Sequence, residues 1–221
     1  MGLLRMETVH RPDSCIQGLF FDKKYVILGS AIARLWKKRK LEDGAYKVIR
    51  IKKLDYDVMK GKVYHAEIHS DRYLSIEPQG EGFLIKWKTS NPELVRSISD
   101  SILSDWLENP AAYGAFEDDA LVGFVEGFLE AWNNRYRITN ICVLDSSKRR
   151  RGIGQMLLSK ILADAKESGA RMAVLETQSF NARAISFYKK NGFEIIGFDR
   201  YAYSNHGPEE KNMRIEMGKI L

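Results

Sequence analysis

Lys148-Arg149-Arg150-Arg151-Gly152-Ile153-Gly154-Gln155 lies between an apolar run ending Ile141-Cys142-Val143-Leu144 and an amphipathic run that begins at Ile153. A strand that stops at a glycine-containing basic loop, with a helix starting inside that loop, aims unpaired backbone N–H groups at one point in space and so makes an anion site. Gly152 and Gly154 let backbone approach a ligand with no Cβ in the way. Arg149, Arg150 and Arg151 add planar donor forks suited to phosphate oxygens. A diphosphate is the ligand that fits best, against a solvated or nucleic-acid-facing arginine patch as the competing reading of the octet taken alone. The Gly-x-x-x-x-Gly-Lys-Ser/Thr spacing of a nucleotide-hydrolysing loop is absent, as are the third glycine and downstream acid of a dinucleotide fold.

The surrounding pattern places this loop at the carboxyl end of a central strand, where ligands of open α/β sheets gather. Val48-Ile49-Arg50-Ile51 and Gly82-Phe83-Leu84-Ile85-Lys86-Trp87 read as strands. Leu94, Ile98, Ile102, Leu103 and Trp106 recur at helical spacing between positions 91 and 109, with Asn91-Pro92-Glu93 as cap, first-turn proline and first-turn acid, so a helix ending at Pro110 is predicted there. A meander of antiparallel strands follows over 113–116, 121–131 and 136–144, with turns at Asp118-Asp119 and Asn133-Asn134. Ile153, Leu157, Ile161 and Ala165 then mark a helix closed by Gly169. A strand over 171–177, a helix capped by Asn181 and stopped at Asn191-Gly192, and strands over 193–198 and 213–217 complete the chain.

The 221 residues, 44% hydrophobic, suffice for one substantial core. The longest apolar run, 25–36, is too short to cross a bilayer and is broken by Arg34. Residues 1–45 carry nine Lys/Arg against five Asp/Glu, and the rest is nearly balanced, so the basic charge of +6 belongs mainly to this leader and says little about nucleic acid. The leader shows no sustained period and is read as an N-terminal extension, unstructured or a short docked helix. Lys23-Lys24 followed by apolar residues imitates a signal peptide, but the charged lead is too long. Cys15 and Cys142 give no disulfide framework, which suits a reducing cytoplasm. His65 and His69 sit four apart without a third ligand nearby, so no metal is expected.

Two separate motifs, Arg149-x-x-Gly152-x-Gly154 after Ile141-Cys142-Val143, and Asn181-x-x-Ala184-x-x-Phe187-Tyr188-x-x-x-Gly192-Phe193, resemble the GCN5-related N-acetyltransferase (GNAT) family, which uses acetyl-CoA. Glu130-Ala131-Trp132-Asn133-Asn134-Arg135, Leu175-Glu176-Thr177-Gln178 and Tyr203-Ser204-Asn205 are most similar to its streptothricin acetyltransferase branch. The resemblance implies a GNAT domain over 46–221, with a mixed, mostly antiparallel α/β (α+β) sheet, a splayed parallel strand pair and flanking helices. It implies that residues 149–154 cradle the CoA pyrophosphate, with Gln155 at the helix start, and that Ile141, Cys142 and Val143 pair with the pantetheine arm like an added strand. Asn181 would hold that arm from the other side. Tyr188 matches the acid that protonates the departing thiolate. Glu176 matches the base of ribosomal-protein acetyltransferases, with binding of a cationic acceptor or capping as its other readings.

Strand alternation over 121–131 places Val122, Phe124, Glu126, Phe128 and Glu130 on one face, so Glu126 and Glu130 are expected to line an acceptor groove for a polycationic guest. The function the resemblance implies is acetyl transfer to a primary amine of a small cationic molecule such as streptothricin, by a cytoplasmic monomer or homodimer that needs no nucleic acid or membrane. A protein N-terminal acetyltransferase is the alternative within the same chemistry. A non-catalytic acyl-CoA-binding regulator and a nucleic-acid-binding module are those of another class.

Overall fold

In the computed structural model, residues 38–40 and 46–221 are described. Their elements run β1 (Lys38–Lys40), β2 (Tyr46–Lys53), α1 (Tyr56–Met59), β3 (Val63–Gln79), β4 (Gly82–Ser101), β5 (Ala111–Glu117), β6 (Ala120–Glu130), β7 (Arg135–Val143), α2 (Ile153–Glu167), β8 (Met172–Gln178), α3 (Ala182–Lys190), β9 (Glu194–Asp199) and β10 (Arg214–Ile220). The main sheet has the order β1-β2-β5-β6-β7-β8-β10-β9, and among the described residues β3 pairs only with β4. Every pairing is antiparallel except β7 with β8. This is the mixed, mostly antiparallel sheet that the sequence implies. The basic cluster Lys38–Lys40 pairs with β2, whereas Leu19-Phe20-Phe21 and the apolar run 25–36 lie outside the described residues.

The helix expected between 91 and 109 is instead the second half of β4 and the loop after it. Leu94, Ile98 and Ile102 are four apart, and a spacing of four returns to the same face of a strand as well as of a helix. Leu94 and Ile102 are buried, while Val95 between them is exposed, as a strand requires. The apparent cap at Asn91-Pro92-Glu93 is a bulge. Thr89 pairs with Arg72 and Leu94 with Ser70, so residues 90–93 stand against Asp71 alone. A proline, which has no N–H to donate, is tolerated in a strand at such a bulge.

The helices that border the loop form where the apolar period predicts them. α2 buries Ile153, Met156, Leu157, Leu158, Ile161 and Ala165 along one stripe against the sheet. Each of these isoleucine, leucine and methionine side chains, when fully buried, contributes about 1.5–3 kcal/mol. Gly169, at φ 73, closes the helix, its N–H donating to the Lys166 carbonyl. α3 starts at Asn181, whose Oδ1 accepts from the Ala184 N–H at 3.2 Å.

The strands that hold the site depart from regular pairing twice. Glu126 opposes Asn140 and Gly127 opposes Ile138, so Thr139 is an extra residue in β7. Ala115 opposes Gly123 and Phe116 opposes Leu121, so Val122 is an extra residue in β6. Each bulge reverses side-chain parity. Ile138, Ile141 and Val143 therefore all pack on the α2 side, while Cys142 joins Phe124, Leu103 and Ile102 on the other.

The β7 bulge also needs a glycine opposite it. A Cβ on Gly127 would lie 2.5 Å from the Arg137 carbonyl oxygen and 2.8 Å from the Tyr136 ring. Gly127→Ala is therefore expected to cost about 1–3 kcal/mol by overpacking, lowering the thermal midpoint by several degrees in a chain of this size. A calorimetric scan showing an unchanged midpoint would remove Gly127 as a constraint on the bulge.

Candidate active site

The parallel pairing of β7 with β8 runs only from Arg135 opposite Met172 to Ile138 opposite Leu175. Beyond it, residues 140–143 pair with β6 alone and residues 176–178 with β10 alone. A wedge opens between the strands, and one backbone edge of Ile141, Cys142 and Val143 faces into it. Such an edge takes an extended amide-bearing ligand as an added strand.

At the far end of β7 a 3-10 turn (Ser146–Lys148) leads into the arginines and α2. The backbone of Arg150 has φ 62, and Gly152, the N-cap of α2, has φ 82. A side chain at Gly152 would be strained in this left-handed conformation. The first intrahelical bond runs from the Met156 N–H to the Gly152 carbonyl, leaving the Ile153, Gly154 and Gln155 N–H groups of the first turn free of helical partners. Gly154, in the first turn, has no left-handed conformation. A Cβ there would meet the Phe187 ring at 3.6 Å, an ordinary van der Waals contact, so packing against α3 leaves room for a methyl group at this position. The Gln155 side chain donates to Asn191 Oδ1 at 2.7 Å.

The arginines do not act together. Arg151 hydrogen-bonds Glu117, whose other oxygen takes Lys148 Nζ at 2.8 Å. Glu117 is buried, and its hydrogen bonds from Arg151 and Lys148 hold its carboxyl at about 2. Arg149 reaches across to β3, 3.4 Å from the Glu67 carbonyl oxygen, and lines a cleft of about 450 Å³ with His65, His69 and Arg183. Arg150 is exposed. His69 bridges Glu67 and Glu93, and hydrogen bonding to Glu67 raises its pKa.

Tyr188 on α3 is buried between Phe187 and Phe193, and its hydroxyl has no hydrogen-bond partner among the described residues. Burial raises its pKa strongly, so it remains a phenol. It lies within electrostatic reach of Cys142, whose thiol burial pushes up to about 11, too high for a thiolate nucleophile at neutral pH. Glu176 is exposed on the first position of β8 beyond the parallel pairing, where it accepts from the Tyr203 hydroxyl at 3.3 Å and lies 3.9 Å from Arg214. Asn181 commits its oxygen to capping α3.

Glu126 and Glu130 are not free groove carboxylates. Glu126 is wholly buried, and its two oxygens accept from the Leu103 N–H at 2.7 Å, Asn140 Nδ2 at 2.7 Å and the Thr139 hydroxyl at 3.2 Å. Burial raises its pKa, partly offset by these donors. Phe124, placed on the same strand face by alternation, is fully buried, and Val122 packs on the opposite side of the sheet because the β6 bulge breaks the alternation. Glu130 is claimed by Arg135, Arg137 and Asn133. Burial alone would raise its carboxyl, but the Arg137 hydrogen bond and the neighbouring charges hold it low.

Three contributors escape sequence reasoning. Glu117 closes a hairpin turn, and nothing local links it to an arginine 34 positions away. Tyr64 approaches the wedge from β3, a region without a motif, and Tyr203 from the loop before β10, where Tyr203-Ser204-Asn205 marked the branch resemblance but gave the tyrosine no role. For Tyr64 the alternation from Val63 to Ile68 offered a strand signal.

The profile of the acetyltransferase (GNAT) family matches residues 81–193, just over half of the chain, and the chain belongs to that family. It is 31% identical over 144 residues to a streptothricin acetyltransferase of Streptomyces lavendulae, covering 61% of this chain and 75% of the relative. It is 32% identical over 132 residues to a streptothricin acetyltransferase of Escherichia coli, covering 60% and 72%. The crystal structure of a nourseothricin acetyltransferase superposes with a TM-score of 0.63 at 24% identity, over 78% of this chain and 98% of that one, and so shares the fold. The protein is an N-acetyltransferase that uses acetyl-CoA.

The Glu117 contacts generate an acid-stability prediction. A carboxyl depressed from the ordinary 4.5 to about 2 contributes stability that is present above the unfolded value and lost as pH falls through the folded one. Thermal midpoints of the wild type should therefore drop between about pH 4.5 and 2, and Glu117→Gln should flatten that part of the profile while lowering stability at neutral pH. Parallel profiles for the two proteins would rule out the Glu117 linkage.

Proposed function

We propose that the protein transfers the acetyl group of acetyl-CoA to a primary amine of a small cationic acceptor of the streptothricin type. The observation that carries the acceptor class is the likeness to two streptothricin acetyltransferases over about three-quarters of their length. The wedge between β7 and β8 fits an amide-bearing arm, with Ile141, Cys142 and Val143 offering backbone pairing along the strand. The αL glycine and first-turn N–H groups of residues 152–155 suit a pyrophosphate, with Arg149 and Arg150 adding charge. Arg151, tied to Glu117, instead anchors the loop. Asn181 keeps its Nδ2 for a ligand carbonyl while its oxygen caps the helix.

When bound, acetyl-CoA supplies the activated acyl group, and the chain's own residues do the rest. The amine must reach the reaction unprotonated, and Glu176 at the mouth of the wedge takes its proton, directly or through water. Tyr188, a neutral phenol without a partner among the described residues, donates to the departing sulfur. A β7 backbone N–H near Val143 steadies the negative charge on the carbonyl oxygen. Glu176 has two chemical readings, base and acceptor ligand, and Glu176→Gln separates them: loss of kcat marks the base, a raised amine KM the ligand.

The protein is incubated with acetyl-CoA and, separately, streptothricin, aminoglycosides, polyamines and N-terminal peptides, following free thiol. Rapid thiol release with streptothricin is expected. Turnover of neutral peptides alone would overturn the acceptor class. Gly152→Val should weaken CoA binding far more than replacement of Arg150, as read by calorimetric titration, because the backbone does most of the holding. Tyr188→Phe should lower kcat by roughly 10²-fold with CoA affinity kept. An undiminished rate would make Tyr188 a packing residue.

A further inference from the structure

A hydrogen-bonded series runs from the interior of the sheet to the hairpin: Glu126 on β6, Asn140 on β7 and Tyr64 on β3. Its polarity is set at the buried end. Glu126 takes three donors on its two oxygens, one of them Asn140 Nδ2 at 2.7 Å. With its nitrogen committed to Glu126, the Asn140 amide turns its oxygen to Tyr64, whose hydroxyl donates to it at 2.7 Å. A phenol that has given away its single proton offers only lone pairs to anything else.

The Tyr64 oxygen is placed where such an acceptor is useful. The ring packs edge-on against Phe124 at 5.0 Å between centroids, and the hydroxyl is within electrostatic reach of Cys142 and Tyr188. These are the residues that border the wedge. Tyr64 is only partly buried. Burial raises its pKa strongly, so it stays a neutral phenol at working pH. Across the hairpin its register partner is Asp100, whose exposed carboxylate comes within 3.4 Å of Asn140 Nδ2. Neither residue belongs to the loop or helix motifs that define the cofactor side.

We propose that the Tyr64 hydroxyl oxygen and the Asp100 carboxylate form the subsite that receives the reacting amine of the acceptor. Tyr64 accepts one N–H, which fixes the nitrogen, and Asp100 balances the charge of the incoming ammonium. Glu126 and Asn140 are positioning residues that keep the Tyr64 lone pairs turned outward. The inference rests on the reading of the protein as an amine acetyltransferase. It assigns acceptor recognition to β3 and β4 rather than to Glu126 and Glu130 themselves.

Steady-state rates are measured for wild type, Tyr64→Phe, Asp100→Asn, Asn140→Leu and the Tyr64→Phe/Asn140→Leu double variant, varying streptothricin and acetyl-CoA in turn, with thermal midpoints recorded. Tyr64→Phe loses one hydrogen bond to a charged group, so the amine KM should rise roughly 10-fold or more. The acetyl-CoA KM should stay within about 2-fold and the midpoint should be kept. Asp100→Asn should act in the same direction. Asn140→Leu, which frees the hydroxyl to turn, should raise the amine KM, and adding Tyr64→Phe to it should change little further, as expected of residues acting in series. An unchanged amine KM in both Tyr64→Phe and Asp100→Asn overturns the subsite, as does a parallel rise in both KM values with a lowered midpoint. If wild type ignores streptothricin but acetylates another amine, the streptothricin reading fails and the same variants are judged on that amine. Wild type inert towards every amine overturns both readings.

Discussion

Beyond Ile138 and Leu175 the two central strands stop hydrogen-bonding to each other, and the proposed site depends on that separation. A sheet interior ordinarily satisfies every backbone N–H and carbonyl with a neighbouring strand. Here the extra residue Thr139 turns β7 away from β8, and part of its edge is left for a ligand. The bulge is held from both sides of the strand. Gly127 admits the close approach of the Arg137 carbonyl, and Glu126 binds Thr139 and Asn140 from below. A buried carboxylate is costly unless its oxygens are satisfied, and Glu126 offsets that cost by gathering donors from the bulge and from Leu103 at once. The acid thereby ties the opening of the sheet to the chain segment that follows the hairpin.

Charge at the anion loop is thinned rather than maximised. Lys148 and Arg151 spend their charge on Glu117, which anchors the loop to the end of β5, and Arg149 and Arg150 are the arginines not committed to it. In the proposed pyrophosphate site, recognition falls mainly on backbone N–H groups whose direction is set by left-handed Arg150 and Gly152. Such donors keep their orientation without side-chain entropy loss, and ion pairing within the protein lessens attraction for unrelated polyanions.

The hairpin of β3 and β4 supplies what the sheet does not. It is paired with no strand of the main sheet among the described residues, yet Leu74 and Ile76 join the core beneath α2 and α3, and Tyr64 reaches the opposite side of the sheet near Cys142. One element thus touches the side where Arg149 and Arg183 line a cleft and the side where Tyr64 and Asp100 stand.

Amino-acid order suffices for the meander, α2, α3 and the anion loop. Their signals are local: a glycine at positive φ, an asparagine cap, an apolar stripe at helical period, and two motifs at a set distance. It suffices also for the family, and with it the parallel strand pair. The helix expected at 91–109 failed because a spacing of four fits both a helix and one face of a strand, and only pairing with β3 chooses between them. Which acids are available is settled by packing in three dimensions. Alternation placed Glu126 and Glu130 on one face, but a face becomes a groove or a core according to what covers it. Here Leu103, Tyr64 and Arg137 cover it. The pairing of Glu117 with Arg151 and the polarity of Tyr64 were likewise illegible, since hydrogen-bond partners 34 and 76 residues apart leave no local trace in the order of amino acids.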